Sequence, residues 1–154
     1  MNARRIMFVT VFCLTAVAVG FAADPNVGSW KLNEAKSKIA KGAPKNLTVV
    51  YTADGESYKC VVDGVDATGK PAHNEWTGKF DGKDYPVTGD PTADSRSLKL
   101  VSPGHYAITN KKDGKTVLTG TIVFSADNKT RTLTSHMTDA AGKKLTSTAV
   151  YESQ

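Results

Sequence analysis

From Arg131 to Asp139 the chain alternates almost without fault. Leu133, Ser135 and Met137 fall on one face, and Thr132, Thr134, His136 and Thr138 on the other. A period of two marks a β-strand with one face turned to a core, and a helix cannot satisfy it. The same pattern recurs upstream. Leu47, Val49 and Tyr51 alternate with Thr48, Val50 and Thr52, and Tyr58, Cys60 and Val62 follow after an Asp54-Gly55 turn. Trp76, Gly78 and Phe80 oppose His73, Glu75, Thr77 and Lys79; Leu98 with Leu100 and Tyr106 with Ile108 mark two further strands. Val117 to Phe124 and Leu145 to Glu152 complete the set. Roughly nine short strands at intervals of about 8–12 residues, with Gly, Asp or Pro turns between them, predict an all-β sandwich or barrel. A turn after nearly every strand favours a meander, and closing it removes the exposed edges. The expected fold is a single antiparallel up-and-down β-barrel of about 8–10 strands.

Ahead of these strands stands a different kind of segment. Arg4 and Arg5 precede an apolar run from Ile6 to Val19, and small residues follow at Gly20, Ala22 and Ala23. That is the layout of a cleavable secretory leader over residues 1–23, leaving 24–154 as one barrel domain. The run is short for a membrane span, so no stable membrane insertion is expected once it is removed. The expected location is secreted or periplasmic. Of the 20 Lys and Arg, Arg4 and Arg5 leave with the leader, so 18 face 15 Asp and Glu, a net +3. The positive side chains are scattered, without the basic stripe and stacking aromatics of a nucleic-acid binder. The mature part keeps one cysteine, Cys60, so no internal disulfide can form and stability rests on core packing. Its alternation with Tyr58 and Val62 reads Cys60 as a small buried hydrophobe, the alternative being a leftover thiol that pairs with another chain.

Near the mature start, Gly28-Ser29-Trp30-Lys31-Leu32-Asn33 places Trp30 and Leu32 on the inner face of a first strand. With this Gly-x-Trp and the meander after it, the chain resembles the calycin superfamily, the lipocalins and their relatives. More closely it resembles short secreted bacterial proteins described as lipocalin-like. That likeness is carried by Gly28 to Asn33, Ala35-Lys36-Ser37-Lys38 and Asp81-Gly82-Lys83-Asp84-Tyr85-Pro86-Val87-Thr88-Gly89. The resemblance implies that Trp30 packs under the barrel floor with a basic side chain from late in the barrel over its indole. Arg131 is the best match for that partner. The Thr-Asp-Tyr motif of typical lipocalins is missing, since Ala140 follows Thr138-Asp139.

Catalytic chemistry finds no support. There is no Gly-x-Ser-x-Gly elbow, and no pair of carboxylates is placed by the pattern on one concave face. His73, His105 and His136 all take the outward parity, so no metal ligand set and no cofactor is expected. Glu34 to Ile39 reads as one helical turn ended before Pro44. The stretch from Asp81 to Asp94 reads as a surface loop at an opening, with Tyr85 as a lid. The inward set then nominates Tyr58, Trp76, Tyr85, Leu100, Tyr106, Ile108 and Met137 as ligand-binding residues, with Gly78, Ser135 and Ala149 leaving room. The expectation is an exported protein holding a small apolar or amphipathic ligand inside the barrel. The alternative is a barrel filled by its own side chains that serves as a structural or interaction module.

Overall fold

A computed structural model of the chain describes residues 24–139 and 141–154; the leader expected over residues 1–23 lies outside the described residues. Ten strands follow in chain order: β1 Gly28–Leu32, β2 Lys45–Asp54, β3 Ser57–Val65, β4 Pro71–Gly78, β5 Tyr85–Thr88, β6 Ser95–Ser102, β7 His105–Lys112, β8 Lys115–Phe124, β9 Thr130–Thr138 and β10 Lys144–Ser153. Each strand pairs antiparallel with its sequence neighbour, and β1 closes the ring between β10 and β2. The turn chemistry fixes this meander. Asp113 and Gly114, between paired Lys112 and Lys115, both have positive φ, 49° and 73°, as a two-residue type I′ hairpin requires. Among the described residues, no helix is long and apolar enough to cross a membrane.

The expected helical turn is a single 3-10 turn, Glu34–Lys36, capped by Asn33, whose side-chain oxygen accepts from the Lys36 backbone N–H at 3.0 Å. The chain from Asn33 to Ala40 then runs beside β10, with Lys38 bridged to Thr148 and the Ala40 N–H donating to the Ser147 hydroxyl at 3.0 Å.

The stretch from Asp81 to Asp94 is not one continuous loop. It contains β5, which pairs through Trp76↔Val87 and Glu75↔Thr88 on one side and Tyr85↔Arg96 and Pro86↔Ser95 on the other. Four residues are too few for alternation to be read, and Pro86 carries no N–H for the ladder. Its connections accordingly go to opposite ends of the barrel.

Those two ends differ. At one end lie the start of β1 and the turns β2–β3, β4–β5, β6–β7 and β8–β9. Here aromatic rings pack on one another. Phe80 stacks on Tyr58 at 4.2 Å between centroids and meets Tyr106 edge-on at 5.2 Å; Tyr106 meets Phe124, and Phe124 meets Trp30 at 5.3 Å. Each fully buried ring contributes roughly 1.5–3 kcal/mol, before the smaller pair terms. The residues ahead of β1 complete the plug. Trp30 Nε1 donates to the Asn26 carbonyl at 2.9 Å, and the Tyr106 hydroxyl donates to Asp24 Oδ1 at 3.2 Å. Burial, and then the Asp24 carboxylate beside it, push the Tyr106 hydroxyl pKa upward.

Arg131, from β9, lies inside this end at 3% exposure. Its guanidinium carbon stands 5.5 Å from the Trp30 ring, 5.6 Å from Tyr51 and 5.0 Å from Tyr151. The basic partner that the lipocalin resemblance assigns to Trp30 is therefore in place. Nε and Nη1 of Arg131 have no hydrogen-bond partner among the described residues, so the three π-faces offset the buried charge.

Candidate functional site

At the other end, the turns β3–β4, β5–β6, β7–β8 and β9–β10 surround an opening. Side chains do not fill it. A cavity of about 390 Å³ lies there, bounded by apolar Val65, Ala72, Val117, Leu118 and Met137 and by polar Asn74, Arg96 and Asn110. That volume is in the lower part of the roughly 300–1,000 Å³ range of small-molecule sites, and a mostly apolar wall with a few converging polar groups is their usual composition.

Strand register explains why the polar groups converge. Asn74, Arg96 and Asn110 occupy inward positions on β4, β6 and β7, each one inward step toward the mouth from Trp76, Leu98 and Ile108. Arg96 and Asn110 are direct register partners. Arg96 Nε donates to Asn110 Oδ1 at 3.0 Å and Nη2 to Asn74 Oδ1 at 3.3 Å, forming a polar layer across the barrel. Beneath it Trp76 Nε1 donates to the Arg96 carbonyl at 3.0 Å and locks the layer to the aromatic core. The segment Gly89-Asp90-Pro91-Thr92 forms part of the rim. Gly89, with φ of 81°, lets this rim approach β4, because a Cβ there would stand 2.5 Å from the His73 carbonyl oxygen.

The seven residues nominated from sequence are distributed along the barrel. Met137 alone among them lines the mouth cavity. Tyr58, Trp76, Tyr85 and Tyr106 belong to the aromatic plug at the opposite end, with Tyr85 edge-on to Trp76 at 6.0 Å and packed on the bare backbone of Gly78. Ile108 sits between the two ends, buried. Leu100, expected inside, is 49% exposed; it reaches the rim of the plugged end, where a register shift interrupts β6–β7 pairing. Leu47 is likewise exposed rather than inward, beside the irregularity between Asn46 and Thr48. Alternation says which side of the wall a residue takes, but not how deep it lies along the axis.

Other candidate groups do not join the site. His73, His105 and His136 are exposed, as parity predicts. The His73 ring turns outward to Asp63, 2.7 Å away, and that hydrogen bond raises its pKa. Among the described residues, no group of three or more His, Cys, Asp or Glu is placed to hold a metal ion. Cys60 is free and 1% exposed, and burial pushes its thiol pKa up. The mouth residues missed in the sequence had one signal: Asn74, Arg96 and Asn110 are polar residues at inward positions of otherwise apolar strands.

No protein-family model matches the chain, and no curated protein sequence matches it. Among solved structures it is similar to EF1p2_mFAP2b bound to DFHBI, with a TM-score of 0.52 and 13% identity over 86% of this chain and 97% of that one. It is also similar to apocrustacyanin C1 and to lobster apocrustacyanin A1, with TM-scores of 0.39 and 0.38 and 14% identity in each case. These two alignments cover 84% of this chain and 61% of each crustacyanin chain. The first likeness bears on the fold alone: a closed antiparallel up-and-down barrel of lipocalin-like form.

Proposed function

We propose that this is an exported binding protein that takes a small apolar or amphipathic molecule into the mouth of its barrel. One observation carries the reading: one end of the barrel is packed solid with aromatic rings, while the other holds a cavity of about 390 Å³ with a polar layer at its base. A barrel evolved only as a filled module has no need to leave that space empty, since unfilled volume costs stability. The sealed end gives a guest one way in and one orientation. The leader-like residues 1–23 support export. That a barrel of the same fold holds DFHBI supports the use of such an interior for a small molecule.

The test is native mass spectrometry of protein purified from its own host, comparing the natural chain with Ala72→Trp. Ala72 lines the cavity from β4, so an indole there occupies the guest's volume. The reading expects a co-purifying small molecule on the natural chain and none on the variant. Equal occupancy of both chains, or an empty natural chain that also takes up no small amphiphile in solution, refutes it.

A further inference from the structure

The wall built by β8, β9 and β10 is dented on its outside near the mouth. β7 and β8 shift register there: Asn110 faces Leu118 but Lys111 faces Thr116, so Val117 is the extra residue of a β-bulge. A bulge bends its strand, and a groove of about 360 Å³ lies over the wall beside it. Register decides what lines the groove. Thr119, His136 and Thr146 stand side by side on the three strands as direct partners. Thr138 is the partner of Lys144 one outward step nearer the mouth, and Thr116 borders the groove from β8.

These groups are not satisfied by one another. His136 Nδ1 stands 3.0 Å from Thr146 Oγ1, which fixes the ring, and among the described residues Nε2 makes no hydrogen bond. Among the same residues Lys144 forms no ion pair. No Asp or Glu among them lines the groove. Asp139, next to Thr138, is occupied in its own turn, accepting from the Ala141 and Lys143 backbone N–H groups at 3.0 and 2.8 Å. The opposite wall differs. On β3 and β4 the outward side chains pair off, Lys59 with Glu75 at 3.0 Å and His73 with Asp63 at 2.7 Å. Hydroxyls that both donate and accept match a hydroxyl-rich guest, and an ammonium with no carboxylate beside it matches one negative charge. A single lysine without stacking aromatics does not make a nucleic-acid surface.

We propose that this outer groove binds a saccharide unit carrying one anionic group, with the acid on Lys144 and the sugar hydroxyls on Thr116, Thr119, His136, Thr138 and Thr146. Val117, Leu118 and Met137 border both the groove and the mouth cavity, so the β8–β9 wall divides the two sites. The groove therefore does not depend on the mouth holding a guest.

An NMR titration of the labelled protein with galactose, galacturonate, galactose 6-phosphate and acetate tests the assignment. Backbone amides of Thr119, His136 and Thr146 should shift with at least one of the two anionic sugars. That sugar should bind about threefold or more tightly than both galactose and acetate, the gain expected of one exposed ion pair. The better of the two distinguishes a carboxylate from a phosphate ester as the acid group. Lys144→Met should erase the margin over galactose while leaving galactose affinity within about twofold. Thr119→Val combined with Thr146→Val keeps the branched shape that a strand favours and should weaken every sugar about fivefold or more. Ala72→Trp, inside the mouth, should change none of these affinities. The spectra themselves show whether each variant is folded, and the ranking of the four probes on the natural chain needs no variant. The assignment is overturned if galactose or acetate binds as tightly as both anionic sugars, or if Lys144→Met keeps the margin. Shifts confined to Asn74 and Asn110 in the mouth, or none with any probe, overturn it as well and leave the mouth reading to its own test.

Discussion

Replacing Trp76 by alanine separates a structural aromatic from a ligand contact. The side chain is 1% exposed, lies parallel to Phe80 at 6.3 Å, meets Tyr85 edge-on at 6.0 Å, and donates Nε1–H to the Arg96 carbonyl at 3.0 Å. Its ring also lies against the Cα of Gly78, where a methyl group would stand 2.5 Å from Cζ2. Truncating a buried tryptophan costs about 3–5 kcal/mol in lost transfer and cavity terms. The orphaned Arg96 carbonyl adds about 1 kcal/mol. The sum is about 4–6 kcal/mol, a large part of the roughly 5–15 kcal/mol that holds a domain together. A melt in a domain of this size should fall by roughly 12–25 °C. Trp76→Phe keeps most of the ring packing and should lose only about 1–2 kcal/mol. Leu100→Ala, at a half-exposed rim position, should cost less than about 1 kcal/mol. Urea titrations of the three variants, with unchanged m-values, measure these differences. A Trp76→Ala midpoint equal to that of Leu100→Ala would show that the aromatic plug is not the stabilising core described here.

Arg131 offers a second test. Arg131→Met keeps apolar volume among Trp30, Tyr51 and Tyr151 and removes two unmade hydrogen bonds, so denaturation should move by less than about 2 kcal/mol in either direction; Arg131→Ala, which leaves a void, should cost about 3 kcal/mol or more. Equal losses in the two variants would mean that the charge, not the packing, is what matters. The raised pKa of His73 predicts stabilisation that is fully present below the unfolded value of 6.5 and lost as pH rises through the raised folded value. In an NMR titration Asp63→Asn should bring the His73 imidazole pKa down, and an unchanged midpoint would remove Asp63 as the cause. Cys60 should resist a thiol reagent in the native protein and react at once in denaturant; rapid native labelling would contradict its burial.

The barrel was legible in the sequence because closing a meander demands the same alternation from every strand. Arg131 to Asp139 shows it most cleanly, and Asp54-Gly55, Asp81-Gly82 and Asp113-Gly114 locate three of the turns. β5 was not legible. Four residues with a proline give no period, and its place is dictated by the partners on either side, Trp76 and Arg96. The mouth was half legible. Met137 is legible because it is apolar and inward, whereas Asn74, Arg96 and Asn110 are not, because a polar residue at an inward position carries no signal until three of them meet. Depth along the barrel axis depends on register, which alternation does not encode: Tyr58 and Met137 share the inner face yet lie at opposite ends.

The direct test of a plugged end and an open end is a two-dimensional NMR titration with 1-octanol, read at both ends at once. Resonances of Asn74, Asn110 and the Met137 methyl should shift as the probe enters, while the Trp30 indole N–H and the rings of Tyr58 and Tyr106 stay still. Shifts that gather on Trp30, Tyr58 and Tyr106, with the mouth residues unmoved, would contradict it.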